Sequence, residues 1–160
     1  KSYDVSRVVQ KYAPDIRYAE ILLNYAEALN EVEGSYEIPS WNGETMYTIT
    51  RSATALKEGI QPIRIRAGLP DYEVYDDVKK FRFKVKRERQ IELFAEGHRF
   101  FDLQRWGLLE KTMNEYFAIE RTRFDWFNDA RFTAGRDEYF PISQPQMNYS
   151  KGNYTQNPGY

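Results

Sequence analysis

The chain has 160 residues, 23 basic and 24 acidic, for a net charge of −1, and no cysteine. The even balance argues against a nucleic-acid binder, which shows a basic excess, and the missing cysteine excludes disulfides and thiolate metal sites. Aromatics make up 16% (13 Tyr, 10 Phe, 3 Trp) of a chain that is 41% apolar. Such a chain can fill a core and still carry rings on its surface, because Tyr and Trp join an apolar body to a polar tip.

In chain order, residues 1–14 read as an extended lead-in, and Pro14-Asp15 as a helix start, with Asp15 favourable at the positive end of the helix dipole. A helix is expected over 15–33. Ile16, Ala19, Leu22, Leu23, Ala26 and Leu29 share one face at about 100° per residue, and Glu20, Asn24, Glu27 and Glu31 form a narrow opposite strip. Small Ala19 and Ala26 would let a neighbouring helix approach closely, and Gly34 is a natural stop.

Residues 35–45 read as a loop holding Tyr36, Pro39, Trp41, Asn42 and Gly43. A second helix is expected over 46–58 from Met46, Ile49, Ala53 and Leu56, with Thr48 and Thr50 weakening it. Gly59 and Pro62 interrupt, and a short helix over 63–68 follows. Residues 71–77 form an acidic loop with Tyr72 and Tyr75. A third helix runs over 78–96, kinks at Gly97 and resumes over 98–106; another covers 108–118. The remainder reads as irregular, punctuated by Pro141, Pro145 and Pro158, with one helical turn at 144–149 and a small hairpin at 135–139. No apolar run approaches the roughly 18 residues of a membrane helix, and no signal peptide is visible. The fold class is therefore mainly α: helix pairs joined by long irregular loops, with an extended C-terminal tail. The first pair is like one unit of a tetratricopeptide array.

The third helix is unusual. On a helical wheel Val78, Phe81, Val85, Ile91 and Ala95 define an apolar arc, and Glu88 and Glu92 fall in the middle of it. A carboxylate on an apolar face is costly unless it is paired and hydrogen-bonded. We therefore expect a structural ion-pair network joining Glu88 and Glu92 to Arg99, Arg87, Arg89 or Arg105, planar guanidinium being suited to bidentate pairing. Two chemical alternatives compete. In one, Glu88, Glu92 and Glu96 with His98 hold a metal; His98 is the single histidine, which leaves few neutral donors. In the other they act as an acid/base pair; glycosidases need two acids facing each other across a sugar, which neighbours on one helix face do not supply. No metal, cofactor or catalytic residue is expected, and no glycine-rich phosphate loop or nucleophile elbow is present. The basic run at 79–89 interleaves Phe81 and Phe83 in a manner compatible with base stacking, but the phenylalanines fit a buried stripe and the whole chain is not basic.

Three loops carry rings beside hydrogen-bonding side chains: Tyr36, Trp41 and Tyr47 with Asn42; Tyr72 with Tyr75; and Phe124, Trp126 and Phe127 with Asp125 and Asn128. Sugar rings pack their C–H faces on aromatic planes and need such polar neighbours for their hydroxyls. Two readings stand for each loop: a ligand-stacking platform or a hydrophobic anchor for the loop itself. The candidate ligand contacts are Trp41, Tyr36, Asn42, Tyr47, Tyr72 and Trp126, led by Trp41, whose loop has few apolar residues to bury it.

Four segments, IRYAEILLNYAEALNE from Ile16, IRIRAGLP from Ile63, KRERQIELFAEGHRFFDLQRWG from Lys86 and the closing YFPISQPQMNYSKGNYTQNPGY, resemble the C-terminal region of the SusD/RagB family in order and spacing. The EGHRFFDLQRWG element is the most specific of them. The resemblance implies that residues 1–160 are the C-terminal part of such a domain, with its N-terminal helical portion and lipid-bearing cysteine outside this sequence. It implies a non-catalytic, cell-surface lipoprotein of the outer membrane of Bacteroidetes. Such a protein binds glycans, peptides or other nutrients, and its partner is a SusC-like TonB-dependent transporter. Membrane attachment would come solely from that N-terminal lipid anchor. A helical scaffold that docks a protein partner without binding glycan remains the alternative. No ligand-binding residue carries over by motif.

Overall fold

The structure, a computed structural model, describes residues 16–124 and 129–160. The described elements are α1 (Tyr18–Asn30), β1 (Ser35–Pro39), β2 (Met46–Thr50), α2 (Ala53–Arg66), α3 (Val78–Glu92), α4 (His98–Arg105), α5 (Leu109–Arg121) and α6 (Gln144–Tyr149). The chain is mainly helical, as the periodicity indicates. The expected lead-in at 1–14 lies outside the described residues. Two compact units emerge, Lys1–Phe94 and Ala95–Tyr160.

In the first unit α1 and α2 run in opposite directions: Asn30 meets Arg51, Ala26 meets Gly59, and Leu22 shares a depression with Ile63. Leu23, Ala26, Leu29, Leu56, Ile60, Ile63, Phe81 and Val85 form the core between α1, α2 and α3. Each fully buried large side chain contributes about 1.5–3 kcal/mol relative to exposure. The small residue foreseen on α1 serves a close helix approach, and its counterpart is Gly59. A Cβ there would lie 2.8 Å from both the Ala26 Cβ and the Leu22 carbonyl oxygen. Gly59 is thus a packing residue inside α2 and does not interrupt it.

Three further expectations are corrected. Residues 46–50 are a strand. Their alternation of Tyr47 and Ile49 with Thr48 and Thr50 matches a two-residue period as well as a helical one, and pairing with Ser35–Pro39 decides the outcome. Helix α2 starts instead at Ala53, where the Ser52 side chain accepts a hydrogen bond from the Ala55 N–H. It runs through Pro62, because Pro62 and Glu58 both face solvent and water can satisfy the carbonyl that loses its N–H partner. Helix α3, capped by Asp77 on the Lys80 N–H, ends at Glu92, four residues earlier than expected. Ala95 sits at φ 63° and Gly97 at φ 82°, so the chain is broken between α3 and α4 and not merely kinked.

The second unit packs Leu103, Leu109 and Phe132 with Phe100, Met113 and Phe117. The Asn114 side chain clasps the backbone of Phe132, donating to its carbonyl at 3.0 Å and accepting from its N–H at 2.8 Å. Further along, the Gln156 amide does the same for Ile142, at 2.9 and 2.8 Å. These two side-chain clasps satisfy backbone groups in a segment with few elements of its own. The turn at 144–149 is α6. Residues 135–139 form consecutive turns in place of the expected hairpin; the Asp137 carboxylate accepts from the Thr133 N–H at 2.6 Å and closes the segment locally.

The α1–α2 contact yields a direct test. Gly59→Ala inserts a methyl where neither backbone can retreat, and should lower the unfolding free energy by about 1–3 kcal/mol, read as a shifted urea midpoint at unchanged slope.

Candidate functional site

Two groups of residues in the first unit have functional interest, and they differ in every physical respect: a saturated polar network under α3 and an exposed hairpin between α1 and α2.

The network follows from helical spacing. Phe81, Val85, Glu88 and Glu92 lie on one stripe of α3, so the face that begins apolar continues acidic. Glu88 is 4% exposed. Its Oε2 accepts from Arg64 Nη1 at 2.9 Å and from the Tyr72 hydroxyl at 2.5 Å. The Arg64 guanidinium also lies 4.0 Å from the Tyr72 ring centroid and donates through Nε to the Pro70 carbonyl at 2.6 Å. Glu92 accepts from Arg17 at 3.0 Å and Arg66 at 2.5 Å. Arg89, 4% exposed, donates to Asn24 Oδ1 at 2.6 Å and pairs with Glu27 at 3.6 Å. The polar strip of α1 is therefore the seat of α3, and Ile91, placed on the apolar arc by the wheel, is 61% exposed.

The acids are met by guanidinium groups, but their recorded partners are Arg64, Arg66 and Arg17. Of the cations expected there, Arg89 turns to α1. Arg105 pairs with Asp102 at 2.8 Å within α4, and Arg99 lies 5.7 Å from the Trp106 ring centroid. The signal that could have found Arg64 and Arg66 is the uninterrupted course of α2. Once Pro62 is allowed inside the helix, both arginines project from its last turn.

A second buried set was also missed. Asn30 donates to the Val78 carbonyl and accepts from Arg51, which itself donates to the Tyr75 carbonyl at 2.6 Å. The Tyr75 hydroxyl donates to Asp71. Burial first, and hydrogen bonding to a carboxylate second, hold the Tyr72 and Tyr75 hydroxyls well above the usual value of 10.0. Tyr72, a candidate ligand contact by sequence, thus has its hydroxyl and one ring face engaged internally. Trp126 lies outside the described residues.

The hairpin is built differently. The register pairs Tyr36 with Ile49, Ile38 with Tyr47 and Glu37 with Thr48. Side chains alternate across a strand, so Tyr36, Ile38, Tyr47 and Ile49 share one face, and Ser35, Glu37, Thr48 and Thr50 share the other. The polar face is zipped by Thr48 to Glu37 at 2.7 Å and Thr50 to Ser35 at 3.3 Å. Ile49 packs against the core, while Tyr36, Ile38 and Tyr47 stay exposed.

At the tip the Gly43 N–H donates to the Ser40 carbonyl at 2.9 Å, which makes Trp41 and Asn42 the two central residues of a β-turn. Gly43 at φ 74° then returns the chain to β2. Asn42 Oδ1 accepts from Ser40 Oγ at 2.6 Å and from the Glu44 N–H at 3.2 Å, and its Nδ2 donates to Glu44 at 2.7 Å. The Asn42 carbonyl is spent on the turn, which is thereby ordered, and Trp41 projects from it 98% exposed. Trp41, Tyr36, Tyr47 and Asn42 are brought together on one hairpin; Tyr72 is not part of it.

Elsewhere, a cleft of about 600 Å³ in the second unit is lined by Ile142, Pro145, Gln146, Tyr149 and Tyr154, none of them among the candidate ligand contacts. Among the described residues no cluster of His, Asp and Glu is arranged to hold a metal ion, and no helix is long and apolar enough to cross a membrane.

The network makes two predictions. Arg64→Met leaves the Glu88 carboxylate buried without its cation and should cost about 3–5 kcal/mol of unfolding free energy, with Glu88→Gln milder, both read by chemical denaturation. The raised tyrosines set an alkaline limit. Below pH 10 the hydroxyls are protonated in both folded and unfolded chains; above it the unfolded chain ionises first. Stability should therefore fall as pH rises past 10, and Tyr72→Phe with Tyr75→Phe should flatten that fall in melting curves taken between pH 9 and about 11.5.

Comparison with known proteins bears on the whole chain. The SusD family profile matches residues 2–160. The SusD-like protein P2 of Formosa agariphila is 32% identical over 151 residues, covering 93% of this chain and 26% of that relative. The chain thus spans about a quarter of the length of the curated relative that it matches. With a family profile running over nearly every residue and a relative aligned over the same span, the chain belongs to the SusD family.

Proposed function

We propose that this chain serves a non-catalytic nutrient-binding protein at the cell surface, which takes up glycans and hands them to a SusC-like TonB-dependent transporter in the outer membrane. Membership of the SusD family supports nutrient binding. The observation that carries the site is the exposed Trp41 on an internally hydrogen-bonded turn, with Tyr36 and Tyr47 on one face of the strands behind it. A ring carried on a hydrogen-bonded turn requires little backbone ordering on binding, and the C–H face of a sugar replaces water over it. Peptides are the second ligand class that such rings accommodate.

The absence of catalysis in this reading rests on geometry. The two candidate acids, Glu88 and Glu92, are each held by guanidinium groups, with Glu88 also accepting from Tyr72. Acid/base hydrolysis of a glycoside needs two carboxyl groups facing each other across the sugar. In this arrangement both point into the contact between α2 and α3.

Trp41→Ala should weaken oligosaccharide binding by about tenfold or more, as loss of a central aromatic contact does, while leaving the melting temperature unchanged because the indole touches no core residue. Calorimetric titration of wild type and variant with the same neutral oligosaccharides decides it. Equal affinities would remove the hairpin from the site, and release of new reducing ends during incubation would contradict a non-catalytic role.

A further inference from the structure

We infer that the hairpin site takes uncharged sugar units and rejects anionic ones, such as uronate or sulfate esters. This rests on the reading of the hairpin as the ligand-contact surface and adds to it the charge class of the ligand.

Between Tyr18 and Thr50 the chain carries six glutamates and neither lysine nor arginine. Three of them, Glu33, Glu37 and Glu44, lie on or beside the hairpin, and all are exposed. Among the described residues no ion pair is recorded for these three, whereas Glu31, just before them, is held by Arg82 at 2.5 Å. Glu37 accepts from Thr48 and Glu44 from Asn42. Those are neutral donors, so neither carboxylate is met by a cation there.

The nearest cations along the chain are committed elsewhere. Arg51 turns inward to Asn30 and the Tyr75 carbonyl, and Lys57 pairs with Asp71 and lies 5.2 Å from the Tyr75 ring centroid. Recognition of a carboxylate or sulfate calls for guanidinium, ammonium or aligned N–H donors. The hairpin carries no guanidinium or ammonium group, and three N–H groups of its turn are already spent: that of Glu44 on Asn42, that of Thr45 on Ser40 Oγ and that of Gly43 on the Ser40 carbonyl. Carboxylates instead accept hydrogen bonds from sugar hydroxyls, which neutral hexoses and pentoses supply in abundance. The hairpin thus pairs stacking rings with acceptors and has nothing to offset an anion.

The test is a calorimetric titration of the protein with neutral gluco-, manno- and xylo-oligosaccharides and with hexuronate oligomers of the same length. Wild type should bind the preferred neutral oligomer about three- to tenfold more tightly than any hexuronate at about 20 mM salt, and the gap should close near 0.5 M, where the Debye length falls to about 4 Å. Glu37→Gln with Glu44→Gln keeps the accepting carbonyl oxygens but removes both charges, and should move the neutral-to-hexuronate affinity ratio toward one. Hexuronate binding as tight as neutral binding in wild type, or a ratio indifferent to salt and to the double variant, overturns the inference and leaves the hairpin site standing, provided Trp41→Ala still weakens binding. Neutral binding of equal affinity in wild type and Trp41→Ala overturns the hairpin reading itself. Failure of every oligosaccharide to bind overturns both.

Discussion

The interaction on which the first unit depends is the burial of Glu88 against Arg64. A carboxylate moved out of water is tolerated only with a cation and further donors in place, and here one oxygen receives both Arg64 and the Tyr72 hydroxyl. Arg64 is simultaneously packed on the Tyr72 ring and tied to the Pro70 carbonyl. One guanidinium therefore fixes the end of α2, the loop after it and the middle of α3. None of these contacts is worth much alone at a surface, where exposed pairs give about 0–1 kcal/mol. Buried together they specify a single register between α2 and α3.

The same logic spreads along α3. Toward its C-terminal end Glu92 receives Arg66 and Arg17, and beside Glu88 the buried Arg89 is answered by Asn24 and Glu27 of α1. Near its N-terminal end Asn30 links α1 to Val78 and Arg51. Between these polar points Phe81 and Val85 fill the apolar gap under α1 and α2. The unit is an apolar centre enclosed by charged pairs, and among the described residues no buried side-chain nitrogen or oxygen lacks a hydrogen-bond partner.

That arrangement leaves recognition to another part of the molecule. With α3's acids committed, three exposed rings of the first unit, Tyr36, Trp41 and Tyr47, stand together on the hairpin. A two-stranded ribbon is marginal by itself. This one is held at its base by Ile49 packed against the core and at its tip by the Ser40–Asn42–Glu44 hydrogen bonds. Rigid ends and an unburied middle suit a surface that meets a ligand without reorganising. The second unit solves a different problem, using the Asn114 and Gln156 amides to satisfy backbone in an irregular segment.

Much was legible in the sequence because it is local. The α1 stripe, the start of α3, the turn at α6 and the demand that Glu88 and Glu92 be neutralised all follow from residue type and spacing. So does the exposure of Trp41, flanked by residues with nothing to cover it. What the sequence left open is pairing at a distance. Residues 46–50 fit a helix or a strand until Ser35–Pro39 lies beside them; Gly59 and Pro62 look like breaks until Ala26 needs the space and solvent covers Glu58. Which guanidinium reaches which carboxylate was likewise undetermined, because Arg64 and Arg17 lie 24 and 75 positions from their partners. Periodicity reports which face of a helix is buried, and only the packing of several helices decides what that face is buried against.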